Sequence, residues 1–125
     1  MTLSENKTVA VLGASKKPER YANKALRLLM ERGYPVIPVN PREEKIEALP
    51  AARRLEEIKQ PVHTVTLYVG PKRSENMADE LIRLKPERVI FNPGTESKNL
   101  KSRLEAEGIQ CVEGCTLVML HSNQF

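Results

Sequence analysis

The segment with the strongest chemical character is a run of small and basic residues that follows a short apolar stretch. It reads G-A-S-K-K-P-E-R-Y over residues 13–21. Gly13 permits a tight turn, Ser15 offers a hydroxyl and a backbone N–H, and Lys16 and Arg20 supply positive charge. A helix that begins just after this run would add the positive end of its dipole. The combination suits a phosphate group, and an ordinary turn with solvated lysines explains the local sequence equally well.

Two familiar nucleotide-binding signatures are missing from this run. It contains neither G-x-G-x-x-G nor the lysine-containing phosphate loop of nucleoside triphosphatases. Standard dinucleotide binding and nucleoside triphosphate hydrolysis are therefore less favoured than binding of another phosphate-bearing cofactor.

A second candidate segment, Asn40-Pro41-Arg42, follows a strand predicted over residues 35–39. A NAD-binding domain places Asp or Glu near the end of this strand, where the carboxylate holds the ribose hydroxyls. A cation at this place suits a phosphorylated ribose better, whether the 3′-phosphate of coenzyme A or the 2′-phosphate of NADP. The pattern does not separate these two cofactors, and a proline-stiffened surface turn is the alternative interpretation.

The elements that must position these segments alternate between short apolar runs and longer amphipathic stretches, which is typical of a parallel sheet covered by helices. Strands are predicted over residues 8–12, 35–39, 62–69, 88–91 and 109–112, and helices over residues 22–32, 51–58, 74–84, 97–106 and 116–121. Met30 is assigned to the apolar face of the first helix, and Ser74 and Ser97 are predicted N-caps. The predicted fold class is α/β: one Rossmann-like three-layer αβα domain over residues 1–125, with a five-stranded, mostly parallel sheet.

This topology predicts where a ligand would bind. Right-handed crossovers place the carboxyl ends of all parallel strands at one edge of the sheet. Ligands of open α/β sheets bind at that edge, close to the point where the strand order reverses. The loops predicted there cover residues 13–21, 40–44, 70–73 and 92–96, which are also the segments richest in Gly, Pro, Ser and Arg. We therefore expect one site assembled from several loops.

Length and composition narrow the function classes. The 125 residues are 40% hydrophobic and 29% charged, which suits one core with a charged surface. A net charge of only +4, with no Trp, argues against a nucleic-acid partner. No apolar run approaches the roughly 18 residues of a membrane helix. Residues 1–7 are polar and lack the apolar core of an export signal, so a cytoplasmic location with reduced cysteines is expected.

Several stretches carry a family resemblance when they are taken together and in order. They are V-A-V-L-G-A-S at 9–15 with Arg20, Tyr21 and Asn23, G-Y-P-V-I-P-V-N-P at 33–41, Y-V-G-P at 68–71, N-P-G-T-E at 92–96, G-I at 108–109 and G-C-T-L-V at 114–118. The chain thereby resembles the small stand-alone CoA-binding proteins, whose fold is similar to the N-terminal domain of the succinyl-CoA synthetase α-subunit. The stretch at 33–41 is the most specific part. The segment after Pro41 departs from the family, since many relatives finish it with a G-x-x-x-Y/F-P-S-L turn.

The resemblance implies a site for coenzyme A or an acyl-CoA, with no metal. It implies that Gly13, Ala14 and Ser15 face the pyrophosphate, with Lys16 and Arg20 beside it, and that Asn40, Pro41 and Arg42 lie near the adenosine and its ribose phosphate. It further implies that Val69, Gly70, Pro71, Lys72 and Arg73 wall the adenine side, and that Asn92, Pro93 and Gly94 guide the pantetheine arm.

No catalytic constellation stands out in the sequence. A lone histidine inside a strand, such as His63, more often packs than reacts, and Cys111 is expected to be a buried small hydrophobe. The leading hypothesis is therefore a non-catalytic module that senses or carries coenzyme A. The alternatives are a small CoA-linked transferase or NADP-dependent oxidoreductase, with Cys115 as its best reactive group, and a regulatory domain that forms a homodimer.

Overall fold

The computed structural model of the chain describes residues 6–125, so the polar start of the chain falls largely outside the described part. The strands are β1 (Val9–Leu12), β2 (Val36–Val39), β3 (Lys45–Ile46), β4 (Leu49–Pro50), β5 (Thr64–Leu67), β6 (Arg88–Phe91) and β7 (Gln110–Glu113). The helices are α1 (Tyr21–Glu31), α2 (Pro71–Glu75), α3 (Ala78–Leu84), α4 (Lys98–Ala106) and α5 (Thr116–His121), and a 3-10 turn covers Leu55–Glu57.

Five of the strands form one sheet in the order β2-β1-β5-β6-β7, and every neighbouring pair is parallel. Val9 of β1 is in register with Val36 of β2 on one side and with Thr64 of β5 on the other. The chain builds outward from β1 to β2 and then crosses to β5 on the opposite side. The strand order therefore reverses at β1, and the predicted Rossmann-like α/β fold is confirmed.

The core has two halves, one on each face of the sheet. Side chains alternate along β1, so that Val9 and Val11 belong to one half and Ala10 and Leu12 to the other. The first half lies under α1 and α5, whereas the second lies under α3 and α4. Because β1 and β5 are buried on both faces, β1 is apolar throughout rather than alternating.

The prediction of a helix over residues 51–58 is wrong. The preceding residues form an antiparallel hairpin of β3 and β4, and only a single 3-10 turn follows it. Between the two, the Ala52 N–H donates to the Pro38 carbonyl at 2.9 Å, and the Asn40 N–H donates to the Ala52 carbonyl at 2.9 Å. The chain thus runs extended along the edge strand β2, and these edge hydrogen bonds prevail over the modest helix preference of alanine and arginine.

Two helix details also differ from expectation. The helix predicted over residues 74–84 is divided into α2 and α3, and α2 begins at Pro71, whose fixed φ and missing N–H suit a first helical position. Ser74 is buried inside α2, where its hydroxyl donates to the Pro71 carbonyl at 3.3 Å, so it is not an N-cap. Met30 is 38% exposed and lies outside the apolar stripe of α1.

Other boundary signals are confirmed. Gly33 adopts a φ of +87° just after α1, as expected for a glycine that stops a helix. The Ser97 hydroxyl accepts a hydrogen bond from the Leu100 N–H at 3.1 Å and caps α4. Within residues 6–125, no helix has the length and apolar character that crossing a bilayer requires.

Candidate functional site

A cleft of about 690 Å³ opens at the carboxyl edge of the sheet, beside the point where the strand order reverses. The loops after β1 and β2, the first turn of α1 and the exit of β5 form its walls. One carboxylate, Glu43, faces five basic side chains across it. These are Lys16, Lys17, Arg20, Arg42 and Arg73. Such an excess of positive charge attracts a ligand that carries several negative charges.

The loop after β1 lies directly against the exit of β5. The Gly13 and Ala14 N–H groups both donate to the Val39 carbonyl, at 3.1 and 3.2 Å. Gly13 has a φ of +92°, and a Cβ built on it would lie 2.8 Å from Val69 Cγ1 and 2.9 Å from the Tyr68 carbonyl carbon and oxygen. Only glycine fits at this position, and its backbone forms the floor of the cleft.

Two side chains of α1 hold the back of the same loop. Asn23 is fully buried, and its Nδ2 donates to the Ser15 carbonyl at 2.8 Å. Arg27 donates from Nε to Asn23 Oδ1 at 2.7 Å and from Nη2 to the Pro18 carbonyl at 3.1 Å. These bonds fix the loop over residues 15–18 against α1. They explain why Asn23 belongs to the matched sequence pattern although it does not line the cleft.

The N-terminus of α1 reaches the cleft without a competing acid. Arg20 is the N-cap residue, and within the described residues no side chain accepts a capping hydrogen bond there and no Asp or Glu occupies the first turn. Ala22 of this turn lines the cleft. The unpaired N–H groups and the positive end of the helix dipole are therefore available to an anion.

Asn40 joins the loop after β2 to the loop after β1. Its Nδ2 donates to the Ala14 carbonyl at 2.8 Å, and its Oδ1 accepts from the Arg42 N–H at 2.7 Å and the Glu43 N–H at 3.2 Å. Glu43 also reaches Lys16, with 3.3 Å between Oε2 and Nζ. Since the Asn40 side chain is engaged on both sides, it positions the loop, while Arg42 is exposed at the cleft.

A smaller, mostly apolar cavity of about 150 Å³ adjoins the cleft. Gly13, Pro41 and Arg73 line both spaces. Its other apolar walls are Leu12, Val39, Leu55, Val69 and Met77. An apolar recess beside a basic cleft matches a ligand that joins a flat, weakly polar group to phosphates.

The structure brings most of the predicted site residues together. Those that line the cleft are Gly13, Ala14, Ser15, Lys16, Arg20, Asn40, Pro41, Arg42 and Arg73, and Val69 lines the adjoining cavity. Gly70, Pro93 and Gly94 are exposed on loops at the same edge of the sheet, and Lys72 is exposed in α2, but none of the four lines either space.

Asn92 has a different environment from its neighbours Pro93 and Gly94, because it is only 2% exposed. Its Nδ2 donates to Thr66 Oγ1 at 2.6 Å and to the Leu67 carbonyl at 2.8 Å, and its Oδ1 accepts from the Thr116 N–H at 2.9 Å. The side chain therefore ties the end of β6 to β5 and to the start of α5.

Tyr68 lines the cleft, although the sequence analysis did not predict it as a ligand-binding residue. Burial raises the pKa of its phenol to about 12, so the group stays protonated near neutral pH and can donate a hydrogen bond. Two signals point to it in retrospect. It stands in the matched Y-V-G-P stretch, and alternation at the end of β5 turns it away from its buried neighbours Leu67 and Val69.

The groups that suggested other chemistry lie in less reactive settings. His63 precedes β5 at the opposite edge of the sheet from the cleft, and burial lowers its pKa. Cys111 is half-buried rather than fully buried as expected, and its partial burial raises its pKa to about 11, which keeps it as a thiol. Cys115 is also half-buried and is the N-cap residue of α5. Among residues 6–125, no group of three or more His, Cys, Asp or Glu side chains could hold a metal ion.

A doubly wound parallel sheet, with a glycine turn after its first strand and a basic cleft where the order reverses, defines a protein of the Rossmann-like α/β class. Within this class, residues 7–121 match the sequence model of the family described as CoA binding domain, and the chain belongs to that family.

Two solved structures have the same architecture as this chain, and a third protein is similar in sequence over part of its length. An uncharacterized protein of known crystal structure is 38% identical with a TM-score of 0.90, over 95% of this chain and 98% of that chain. The Thermus thermophilus protein called cell-free ID.343 is 33% identical with a TM-score of 0.88, over 95% of this chain and 90% of that chain. The uncharacterized protein YneT of Bacillus subtilis (strain 168) is 29% identical over 80 residues, which cover 64% of this chain and 59% of YneT.

Proposed function

We propose that this chain is a non-catalytic module that binds coenzyme A or an acyl-CoA in the basic cleft beside β1. The observation that carries the proposal is the convergence of five basic side chains and the uncapped N-terminus of α1 on one cleft. Membership of the CoA binding domain family supports the choice of ligand. The module then acts as a sensor, a carrier or an accessory part of an acyl-CoA system.

In this proposal the pyrophosphate lies against the loop after β1. Ser15, Lys16 and Arg20 line the cleft and contact the pyrophosphate. The Gly13 and Ala14 N–H groups are already used by the Val39 carbonyl and hold the loop in place. The first turn of α1 adds its unpaired N–H groups, an arrangement that binds phosphate in many α/β proteins.

The adenosine end lies nearer to the loop after β2. Arg42 is exposed at the cleft and pairs with the ribose 3′-phosphate, while Asn40 and Pro41 hold the loop that presents it. Adenine enters the apolar recess beside Val69 and Arg73, at the side of the loop that carries Gly70, Pro71 and Lys72. The pantetheine arm then leads outward along the edge that carries Pro93 and Gly94, whose loop Asn92 anchors.

The non-catalytic assignment follows from the chemistry of the residues around the cleft. Tyr68 remains a neutral phenol near pH 7, so it donates a hydrogen bond rather than accepting a proton. The other polar side chains there include five cations, the Ser15 hydroxyl, the Asn40 amide that holds the loop, and the Glu43 carboxylate that pairs with Lys16. We therefore expect stoichiometric binding without turnover of the cofactor.

Calorimetry with coenzyme A, dephospho-coenzyme A and NADP tests both the ligand and the role of Arg42. The Arg42→Ala variant loses one charged hydrogen-bond partner of the 3′-phosphate. It should therefore bind coenzyme A about 10- to 100-fold more weakly than the wild type does. Dephospho-coenzyme A, which lacks the 3′-phosphate, should bind the wild type and this variant with nearly equal affinity. The matched control is Lys59→Ala, which removes an exposed cation near the opposite edge of the sheet and should leave both affinities unchanged.

The possible outcomes separate the hypotheses. Binding of NADP but not of coenzyme A would replace the proposal with a dinucleotide-dependent function. Release of a chemically altered acyl-CoA after long incubation would refute the non-catalytic part. Binding of neither cofactor would leave the fold without the proposed ligand.

A further inference from the structure

The turn between β3 and β4 has an unusual backbone. The hairpin register pairs Ile46 with Leu49, so the two residues of the turn are Glu47 and Ala48. Their φ values are +52° and +66°, both in the left-handed region. Hairpin turns of this form strongly prefer Asn-Gly, because side chains with a Cβ are strained there. A strained conformation persists only where surrounding contacts maintain it.

The hairpin is held firmly against the body of the domain. Ile46 is 1% exposed and packs in the half of the core beneath α1, and Leu49 packs against the same cluster. At the end of the hairpin, the Ala51 N–H donates to the Glu44 carbonyl at 2.9 Å. The turn is therefore carried to a fixed place beside the first helix.

At that place the Glu47 carboxylate meets the buried amide behind the anion-binding loop. Glu47 Oε2 accepts from Asn23 Nδ2 at 3.1 Å, while the same nitrogen donates to the Ser15 carbonyl at 2.8 Å. The two hydrogens of Nδ2 are thus both used, and Oδ1 accepts from Arg27 Nε. This arrangement connects the hairpin to the loop over residues 13–20 through one side chain.

The chemistry of a carboxylate fixes the orientation of this amide. A carboxylate only accepts hydrogen bonds, so it excludes the flipped arrangement in which Asn23 Oδ1 would face Glu47. The flipped amide would also set Oδ1 against the Ser15 carbonyl and deprive that carbonyl of its donor. Glu47 therefore adds a second acceptor for Nδ2 and reinforces the orientation that Arg27 and the Ser15 carbonyl also require.

We propose that Glu47 is a positioning residue, which acts through Asn23 to hold the loop over residues 13–20 in its anion-binding conformation. The strained turn is retained because it delivers this carboxylate to the amide. The consequence for ligand affinity rests on the proposed function, whereas the effect on loop order does not require any ligand.

Three variants separate the carboxylate from the strain. Ala48→Gly relieves the left-handed backbone and keeps Glu47, so its melting temperature should rise by roughly 2–6 °C with unchanged affinity for coenzyme A. Glu47→Gly relieves the same kind of strain but removes the acceptor, and it should weaken coenzyme A binding about 5- to 10-fold. Glu47→Gln keeps an oxygen acceptor for Asn23 Nδ2, and Arg27 still donates to Asn23 Oδ1 and fixes the amide, so this variant should restore the wild-type affinity.

Hydrogen exchange without ligand provides the second measurement. The Lys17 N–H donates to Ser15 Oγ and the Arg20 N–H donates to the Lys17 carbonyl, both at 3.1 Å. Both amides should exchange about 5-fold faster or more in Glu47→Gly, and at the wild-type rate in Ala48→Gly.

Equal exchange and equal affinity in Glu47→Gly and the wild type would overturn the proposal. Failure of Glu47→Gln to restore either property would also overturn it, because the acceptor would then not be the cause. A wild type that does not bind coenzyme A, combined with faster exchange in Glu47→Gly, would refute the proposed ligand and uphold the positioning role.

Discussion

Replacement of Gly13 by alanine should destabilise the protein by about 2–4 kcal/mol, because two separate penalties meet at one residue. The first is the φ of +92°, a conformation that L-residues with a side chain rarely adopt. The second is steric, since the new Cβ would lie 2.9 Å from the Tyr68 carbonyl carbon and oxygen. The Tyr68 backbone directly follows the buried strand β5, and its N–H donates to the Leu12 carbonyl. This backbone cannot move aside as a flexible side chain can, so the loop itself must shift.

Gly108 offers a matched control for this measurement. Its φ is +80°, but a Cβ built there has no heavy atom within 4 Å beyond its own residue and its two chain neighbours. Gly108→Ala therefore carries the conformational penalty alone, at about 1 kcal/mol. The difference between the two variants isolates the steric contribution of about 1–3 kcal/mol.

Urea unfolding at 25 °C measures both variants, and thermal unfolding gives a second estimate. For a domain of this size each kcal/mol corresponds to roughly 4 °C, so Gly13→Ala should melt about 8–16 °C below the wild type. At a temperature where both variants are folded, Gly13→Ala should also lose more than about 10-fold in coenzyme A affinity, because its shifted loop borders the cleft. Equal destabilisation by Gly13→Ala and Gly108→Ala would refute the steric reasoning.

Three further predictions concern buried polar groups and ionisation. Asn92→Ala should cost about 2–3 kcal/mol in urea unfolding because it leaves the buried Thr116 N–H without its acceptor, whereas Pro93→Ala at the exposed neighbouring position should cost less than about 1 kcal/mol. Burial raises the pKa of Tyr68 from 10.0 to about 12. The protonated phenol therefore stabilises the fold fully below pH 10, and this stabilisation is lost as the pH rises through 12. Between pH 9 and pH 11 the free energy of unfolding of the wild type should fall by about 1 kcal/mol more than that of Tyr68→Phe. With a pKa of about 11, Cys111 should react with iodoacetamide at pH 8 about 100-fold more slowly in folded Cys115→Ser than in the same variant unfolded in urea; equal rates would contradict the inferred burial.

Much of the fold could be predicted from local sequence because parallel strands and their boundaries leave local signals. The strand over 88–91 agrees residue for residue with β6, since an apolar run there is preceded by Pro86 and followed by an Asn-Pro-Gly turn. Gly33 and Ser97 mark helix ends through their own backbone and side-chain preferences. The topology then follows from handedness, which leaves few arrangements of five parallel strands.

The hairpin of β3 and β4 could not be predicted in the same way. Its turn is formed by Glu47 and Ala48, neither of which is a turn residue by preference. The conformation depends on the burial of Ile46 and on the contact of Glu47 with Asn23, which is 24 positions away in the chain. Local propensity contains no information about partners at such a distance.

The sequence by itself determined which loops converge at the carboxyl edge, and with them Gly13, Ser15, Lys16 and Arg42, because strand direction alone places those loops. Only the tertiary structure decided which way each side chain at that edge turns. The Asn92 side chain points into the core, where it donates to Thr66 Oγ1 and accepts from the Thr116 N–H. These partners belong to β5 and α5 and lie 26 and 24 positions away in the chain, so local sequence does not reveal them. The physical reason is that side-chain orientation at a strand end depends on which buried donors and acceptors remain unpaired after the chain has packed.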